Sequence, residues 1–431
     1  MLGGGNFISQ NKVLPGTYIN FVSAAKASVN MSERGIAAIA MELDWGEDEK
    51  IIKLTADEFV KNSLKLLGYD YDNEKLKGLR DLFKNATTLY LYKLNKGTKA
   101  SNTYATAKCS GLRGNNIKIV IQTNVDEDSK FDVITMVDDK KVDTQTVATA
   151  SELIDNDYIE FKKESTLQAT AGTALTGGAN GETATGENHQ TFLNKLESYT
   201  FNALGCISKD TSISNLYVAF TKRMRNEMGV KFQTVVYNNQ ANDEGIVNLK
   251  NATEEDETAL IYYTTGIIAG CAINKSNTNS VYDGEYTVKA DYTQSELETA
   301  ILNGEFVYHK VGEEIRVLED INSLKDTTSE KGEEFKSNQT IRVLDQVATD
   351  TAIIFNTKYL GKIQNNEAGR VSLWNDIVTL YKEYATLQAI ENFASEDIEI
   401  AQGNDKKSVV VNGSIQPVNC MEKLYMTIVV N

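Results

Sequence analysis

The chain has 431 residues, 41% of them hydrophobic, and carries 60 acidic against 44 basic side chains for a formal charge of −16. That length allows roughly two to four domains, and the apolar share fills real cores, so disorder is not the starting assumption. An acidic surface repels phosphate backbones, which argues against nucleic acid as a partner. Cys109, Cys206, Cys271 and Cys420 are far apart with no CxxC pair, so nothing suggests a zinc or thioredoxin-like site, and they read as buried thiols of a reducing cytoplasm. Met1 to Asn20 lacks a basic n-region followed by an apolar core, so no signal peptide is expected. The apolar run from Thr258 to Ile273 is interrupted by Tyr262, Thr264 and Thr265 and is too short to cross a bilayer, so no membrane insertion is expected.

In chain order, residues 1–22 form an uncharged lead up to Gln10 and then a Pro15-Gly16 turn with β-branched and aromatic residues after it, which predicts a strand. Residues 23–96 read as a small α/β unit. It has a strand within Arg34–Trp45, a helix over Thr55–Leu67 opened by a Thr55…Glu58 capping signal, a helix over Asn73–Lys84 and a strand at Thr88–Lys93. From 97 to 175 short strands at Tyr104–Ala107, Ile117–Thr123, Phe131–Val137, Val142–Val147 and Tyr158–Phe161 predict an inserted antiparallel β-sandwich. Alternating helices and strands over 176–349 predict a layered α/β domain, with helices at Gln190–Leu204, Ser214–Glu227, Thr253–Ile273 and Gln294–Leu302. Strands are expected there at Val230–Tyr237, Phe306–Val311 and Ile315–Leu318. Two long helices follow, Asn338–Leu360 and Glu367–Phe393, the second taking the helical part of the chain through 350–404. The segment 405–431 closes the chain in β, with the run Leu424–Val430 last. Pro15 and Pro417, the two prolines, each sit beside a terminal extended segment, where proline suits an edge.

Catalytic chemistry finds little support. His189 and His309 are the two histidines, and neither lies in a Gly-x-Ser-x-Gly or zincin motif that would set a base beside a nucleophile. The Gly177-Gly178-Ala179-Asn180-Gly181 loop lacks the Gly-Lys-Ser/Thr of a P-loop and reads as a boundary turn. Asp126-Glu127-Asp128 lacks the spacing of a calcium loop and reads as a hairpin tip. Glu254-Glu255-Asp256-Glu257 reads as the acidic start of a helix. No catalytic residue, cofactor or metal is assigned.

One ordered series of segments stands out. It begins with Leu14-Pro-Gly-Thr-Tyr-Ile-Asn-Phe21 and Arg34-Gly-Ile-Ala-Ala-Ile-Ala-Met-Glu-Leu-Asp-Trp-Gly46, and passes through the Leu175–Gly181 loop. It continues with Glu319-Asp-Ile-Asn-Ser-Leu324, Asn338-Gln-Thr-Ile-Arg-Val-Leu-Asp345, Tyr359-Leu-Gly-Lys-Ile-Gln-Asn-Asn366, Gly369-Arg-Val-Ser-Leu-Trp374 and Ile415-Gln-Pro-Val418. Over nearly the whole chain this order resembles the phage tail sheath family of Gram-positive myophages and phage-tail-like bacteriocins. The resemblance implies an α+β multidomain fold: an N-terminal α/β unit, an inserted β-sandwich, a central subtilisin-like α/β domain without protease activity, and a C-terminal α/β domain with terminal strand arms.

It also implies a structural role. Copies of the chain stack as six-subunit rings around a tail tube, meet baseplate and tail terminator proteins at the ends, and contract. Assembly is expected in the host bacterial cytoplasm, into a virion tail or a released bacteriocin particle. An extended arm carries unpaired N–H and C=O groups that another sheet edge can satisfy. Tyr18, Ile19, Phe21 and Val22 are the candidates in the N-terminal arm, and Tyr425, Met426, Ile428 and Val430 in the C-terminal arm. Arg370, Lys382 and Glu383 on the Glu367–Phe393 helix are the candidates to face the tube. The rival readings are a surface adhesin built on the Thr- and Asn-rich sandwich and a hydrolase on the central domain.

Overall fold

The computed structural model describes residues 31–430, so the N-terminal arm candidates Tyr18, Ile19, Phe21 and Val22 lie outside the described residues. The chain enters with β1 (Ile36–Met41), whose Ile-Ala-Ala-Ile-Ala-Met run is apolar at every position, as a strand covered on both faces requires. Next come β2 (Ile51–Thr55), α1 (Ala56–Leu67), α2 (Lys77–Phe83) and β3 (Thr88–Lys93). The expected capping box at α1 is present. Thr55 Oγ1 accepts from the Glu58 N–H at 3.3 Å, and the Glu58 carboxylate accepts from the Thr55 N–H at 3.0 Å.

Six strands then build the inserted module: β4 (Ala105–Ala107), β5 (Ile117–Thr123), β6 (Phe131–Val137), β7 (Lys140–Val147), β8 (Ile159–Phe161) and β9 (Thr170–Ala174). They pair antiparallel in the order β7-β6-β5-β9, with β4 and β8 as a separate pair. Alternation puts Ile117, Ile119, Ile121, Val133 and Val137 into one core with Trp45 from the α/β body. Strand β9 escaped the sequence reading because Thr-Ala-Gly-Thr-Ala lies at a sheet edge and has no apolar alternation. The Leu175–Gly181 loop is the expected boundary turn. It crosses the chain entering the sandwich so closely that a Cβ at Gly181 would lie 1.9 Å from Lys96 O, and one at Gly97 2.0 Å from Ala179 O.

The chain re-enters the body through α3 (Gly186–Leu196), β10 (Ala203–Gly205), α4 (Thr211–Asn226), β11 (Gln233–Tyr237), β12 (Ile246–Leu249), α5 (Leu260–Gly270), α6 (Gln294–Leu302) and β13 (Glu305–Phe306), followed by the hairpin β14 (Tyr308–Val311) and β15 (Glu314–Val317). The helix expected through Leu204 stops at Leu196, because Ala203–Gly205 pairs with β1 and β11 in the middle of the sheet. The helix expected from Thr253 begins at Leu260, so the four acidic residues before it do not cap it. They are tied instead to Lys289, Lys77 and Lys209 through Glu254, Glu255 and Glu257.

Seven strands form one sheet in the order β13-β12-β11-β10-β1-β3-β2, parallel except for the edge strand β2. The stretches read from sequence as two α/β domains, 23–96 and 176–349, therefore share a single sheet, with β1 at the join and the sandwich inserted between them. Successive side chains of β1 face opposite layers: Ala37 and Ile39 pack with α1, α2 and α5, whereas Ala38 and Ala40 pack with α3 and α4. Helix α5 is buried along its whole length from Leu260 to Ala269, which explains its uniformly apolar sequence.

The C-terminal body consists of α7 (Asn338–Ile354), a π-helical turn at Phe355–Tyr359, α8 (Glu367–Thr386), β16 (Ile390–Glu391), β17 (Ile398–Gln402), β18 (Val409–Gly413) and β19 (Gln416–Pro417). Helix α7 begins at Asn338, so it straddles the boundary drawn at 349/350. β17 and β18 make a two-stranded antiparallel ribbon. Pro417 sits in a two-residue strand paired with Ile390.

Candidate assembly surface

Helix α7 joins the two bodies through polar side chains that recur at helical spacing: Asn338, Arg342, Asp345, Gln346 and Asp350 are all buried. The Arg342 guanidinium meets Asp320 at 3.0 Å with both side chains essentially inaccessible. Asp320 also accepts from Asn338 Nδ2 at 3.0 Å and from the Asn277 N–H at 2.9 Å. Arg225 holds both Asp345 oxygens at 2.6 and 2.8 Å, and the Asp350 carboxylate accepts from Tyr384 of α8 at 2.6 Å. Burial presses the Arg342 pKa down, but Asp320, with Cys271 adding to it, turns the net shift upward. Burial, with Asp350 adding to it, pushes the Tyr384 hydroxyl up. The apolar positions at helical spacing on α7 are Ile341, Leu344, Val347 and Ile354. The polar repeat beside them was the missed signal.

This seam seats the root of the C-terminal tail. Gln339 of α7 donates from Nε2 to Val418 O and accepts from the Cys420 N–H, both at 3.0 Å, and Val418 donates its own N–H to Ala389 O at 3.0 Å. Farther on, Thr278 Oγ1 donates to the Glu422 carboxylate at 2.7 Å. From Met421 to Val430 no backbone group has a partner among the described residues. Tyr425 is 89% exposed, Met426 71%, Ile428 72% and Val430 89%. The segment predicted as a strand thus has no strand partner among the described residues and leaves the described body with apolar side chains in solvent.

The three tube-facing candidates on α8 do not gather on one face. At about 100° per residue, Arg370, Lys382 and Glu383 are spread around the helix. Arg370 is half-buried and donates to Asn365 O and Oδ1 at 3.2 and 3.0 Å. Glu383 is half-buried, while Lys382 is exposed and shares an outer stripe with Val371, Asn375 and Thr379. Among the described residues Lys382 has no ion-pair partner. Near one end of that stripe, the exposed Leu360 and Ile363 lie in a loop that Asn365 ties to Lys406 O and Ser408 O, in the turn between β17 and β18.

His189 is 3% exposed, and its Nδ1 lies 2.9 Å from the Tyr217 hydroxyl in the α3–α4 layer. Burial lowers its pKa to about 4. His309 lies on β14, opposite Arg316. The Asp126–Asp128 segment is the expected hairpin tip, where Asn124 Oδ1 accepts from the Asp126 and Glu127 N–H groups. Because the folded chain keeps His189 neutral, its contribution is complete above the ordinary pKa near 6.5 and fades as pH falls from there towards 4. The loss amounts to about 3 kcal/mol at most. Urea titrations at stepped pH should show this slope in the parent chain and a flatter one in His189→Gln.

Comparison with known proteins matches four family descriptions to this architecture, in chain order. They are the tail sheath protein Gp18 domain III N-terminal region at 34–94, the phage tail sheath β-sandwich domain at 95–180, the central domain at 182–323 and the C-terminal domain at 330–431. The phage-like element PBSX protein XkdK of Bacillus subtilis is 30% identical with both chains fully covered. The crystal structure of a sheath tail protein from Desulfitobacterium hafniense superposes with a TM-score of 0.82 at 34% identity, covering 95% of this chain and 99% of that one. The helical sheath of the anti-feeding prophage in its contracted state shares the fold at a TM-score of 0.56 and 11% identity, over 97% of this chain and 99% of that one. Four sheath domains in order and full-length relatives at this identity place the chain in the phage tail sheath protein family.

Proposed function

We propose that the chain is the repeating subunit of a contractile sheath, polymerising as stacked hexameric rings around a tail tube and shortening to drive that tube through a bacterial envelope. The observation that carries this reading is the C-terminal tail, an apolar run whose backbone is unpaired among the described residues and which leaves the body. Such a segment finds its partners on a neighbouring copy. Leu424, Met426, Ile428 and Val430 alternate onto one face of an extended strand, and the β17–β18 ribbon, with Val410 and Val411 exposed, has edges without a strand partner among the described residues to receive it. Donor and acceptor patches differ, so the contact is heterologous and propagates into rings or helices. Tyr18, Ile19, Phe21 and Val22 are assigned the matching role in the N-terminal arm.

The arms act as hinges that keep subunits linked while rigid bodies repack into a contracted state of lower free energy. The outer face of α8 with its Lys382, and the apolar loop beside it, are assigned to the tube. Partners are then further copies of the chain, the tube protein, and baseplate and terminator proteins at the ends. The particle is a virion tail or a headless bacteriocin assembled in the host cytoplasm. The role is mechanical, and the subtilisin-like reading of the central sheet is retained as topology without hydrolysis. The His189–Tyr217 contact favours that reading.

Electron microscopy of the purified protein tests the proposal. Helical tubes are expected from the full chain and folded, non-polymerising monomers after deletion of residues 1–20, whereas normal long sheaths from that deletion would reject the arm mechanism. Lys382→Glu is expected to leave sheath–sheath assembly intact and to reduce co-assembly with the tube. Unchanged co-assembly would remove Lys382 from the tube-facing surface.

A further inference from the structure

A cavity of about 290 Å³ opens where the chain enters the body, between the leading ends of β1 and β11 and the flank of α7. Arg34, Lys231 and Arg342 line it, together with Asp345, Glu33 and Phe232. Its negative charges are already committed or outside. Both Asp345 oxygens are held by Arg225, and Glu33 is exposed. Its positive groups are less well matched. Arg34 donates to the carbonyls of Cys271 and Ile268 at 3.0 and 3.2 Å, and Lys231 to Arg225 O at 2.7 Å. Neither has a carboxylate in ion-pair range among the described residues. Arg342 uses its two terminal nitrogens on Lys275 O and Asp320, while its Nε is buried without a partner among the described residues.

Crowding of these cations shows in their protonation. Burial and the neighbouring Arg342 lower the Arg34 pKa to about 10, and burial and Arg225 lower that of Lys231. The chain's first thirty residues contain no Asp or Glu, so they bring no carboxylate to this point.

We propose that this cavity binds a small oxyanion of the phosphate type, received by the Lys231 ammonium and the Arg34 guanidinium. Charged donors converging in a confined site are the usual means of holding such an anion. The anion would sit where Arg34 and Lys231, at the leading ends of the central sheet, face the flank of α7, and so brace the junction between the two bodies.

Inorganic phosphate is the probe, titrated into the full-length chain by calorimetry and by thermal melting, with sodium chloride at matched ionic strength as the control. Saturable binding and a rise in melting temperature absent from the chloride series are expected. Lys231→Met is expected to weaken phosphate binding by about tenfold, the worth of one charge-assisted hydrogen bond. Lys231→Arg, which keeps the charge, is expected to retain binding. Equal effects of phosphate and chloride would overturn the proposal, as would phosphate binding unchanged in Lys231→Met.

Discussion

Deleting Met421–Asn431 is expected to give a chain that melts within about 2 °C of the parent yet forms no sheath. Among the described residues the segment begins just after the last backbone hydrogen bond to the body, at Cys420, its side chains from Met421 to Val430 are exposed, and its one side-chain bond to the body is Thr278–Glu422. Its loss therefore costs the monomer little. Assembly should respond very differently. A strand of six or so residues forms ladder hydrogen bonds worth about 1 kcal/mol each net, and burying part of Leu424, Met426, Ile428 and Val430 adds about 1 kcal/mol or more apiece. Each junction would lose about 5 kcal/mol or more, over a thousandfold in association. Ile428→Asp keeps the chain length and is expected to do the same by putting a charge on the apolar face. Sedimentation and negative-stain microscopy report both variants. Full-length helical sheaths from the truncated chain would place the adhesive contact elsewhere.

Asp320→Ala is expected to cost about 3–5 kcal/mol, the penalty for leaving a buried charge without its partner. The Arg342 side chain is fully buried, and the same carboxylate serves Asn338 Nδ2 and the Asn277 N–H. The chain has several bodies and should not unfold in one step. Trp374, which packs in the C-terminal body and donates from Nε1 to Ile398 O at 2.8 Å, is a local reporter in a Trp45→Phe background. Urea unfolding followed by its fluorescence should move to lower denaturant. The double variant Asp320→Ala/Arg342→Met should recover much of the loss, because it removes the orphaned charge as well as the pair. A single-variant loss below about 1 kcal/mol would mean that solvent reaches Arg342 more readily than its burial indicates.

Sequence patterning located most elements where strong local rules operate. The Thr55…Glu58 box starts α1, and alternation gives β5 and β6 residue for residue. It failed where tertiary structure overrides local pattern. The short strand β10 is a strand because β1 and β11 flank it, and Ala-Leu-Gly at the end of a helical stretch carries no strand signature. Nor can pattern show that two α/β stretches separated by a whole sandwich rejoin in one sheet, since that is set by pairing across more than a hundred residues. The buried charges of α7 were overlooked because polar residues on a helix ordinarily face water. The tail was legible as an apolar β-type run. Its having no strand partner among the described residues appears only once the other strands are placed.

The most direct test of intermolecular strand exchange is cryo-electron microscopy of the assembled particle at a resolution that traces the main chain of residues 421–430. The account predicts continuous density running from Cys420 onto a neighbouring subunit, with a ladder of backbone hydrogen bonds along an edge of that neighbour's β17–β18 ribbon. Density for Leu424–Val430 turning back to pair within the subunit that bears it, with no cross-subunit ladder, would contradict it.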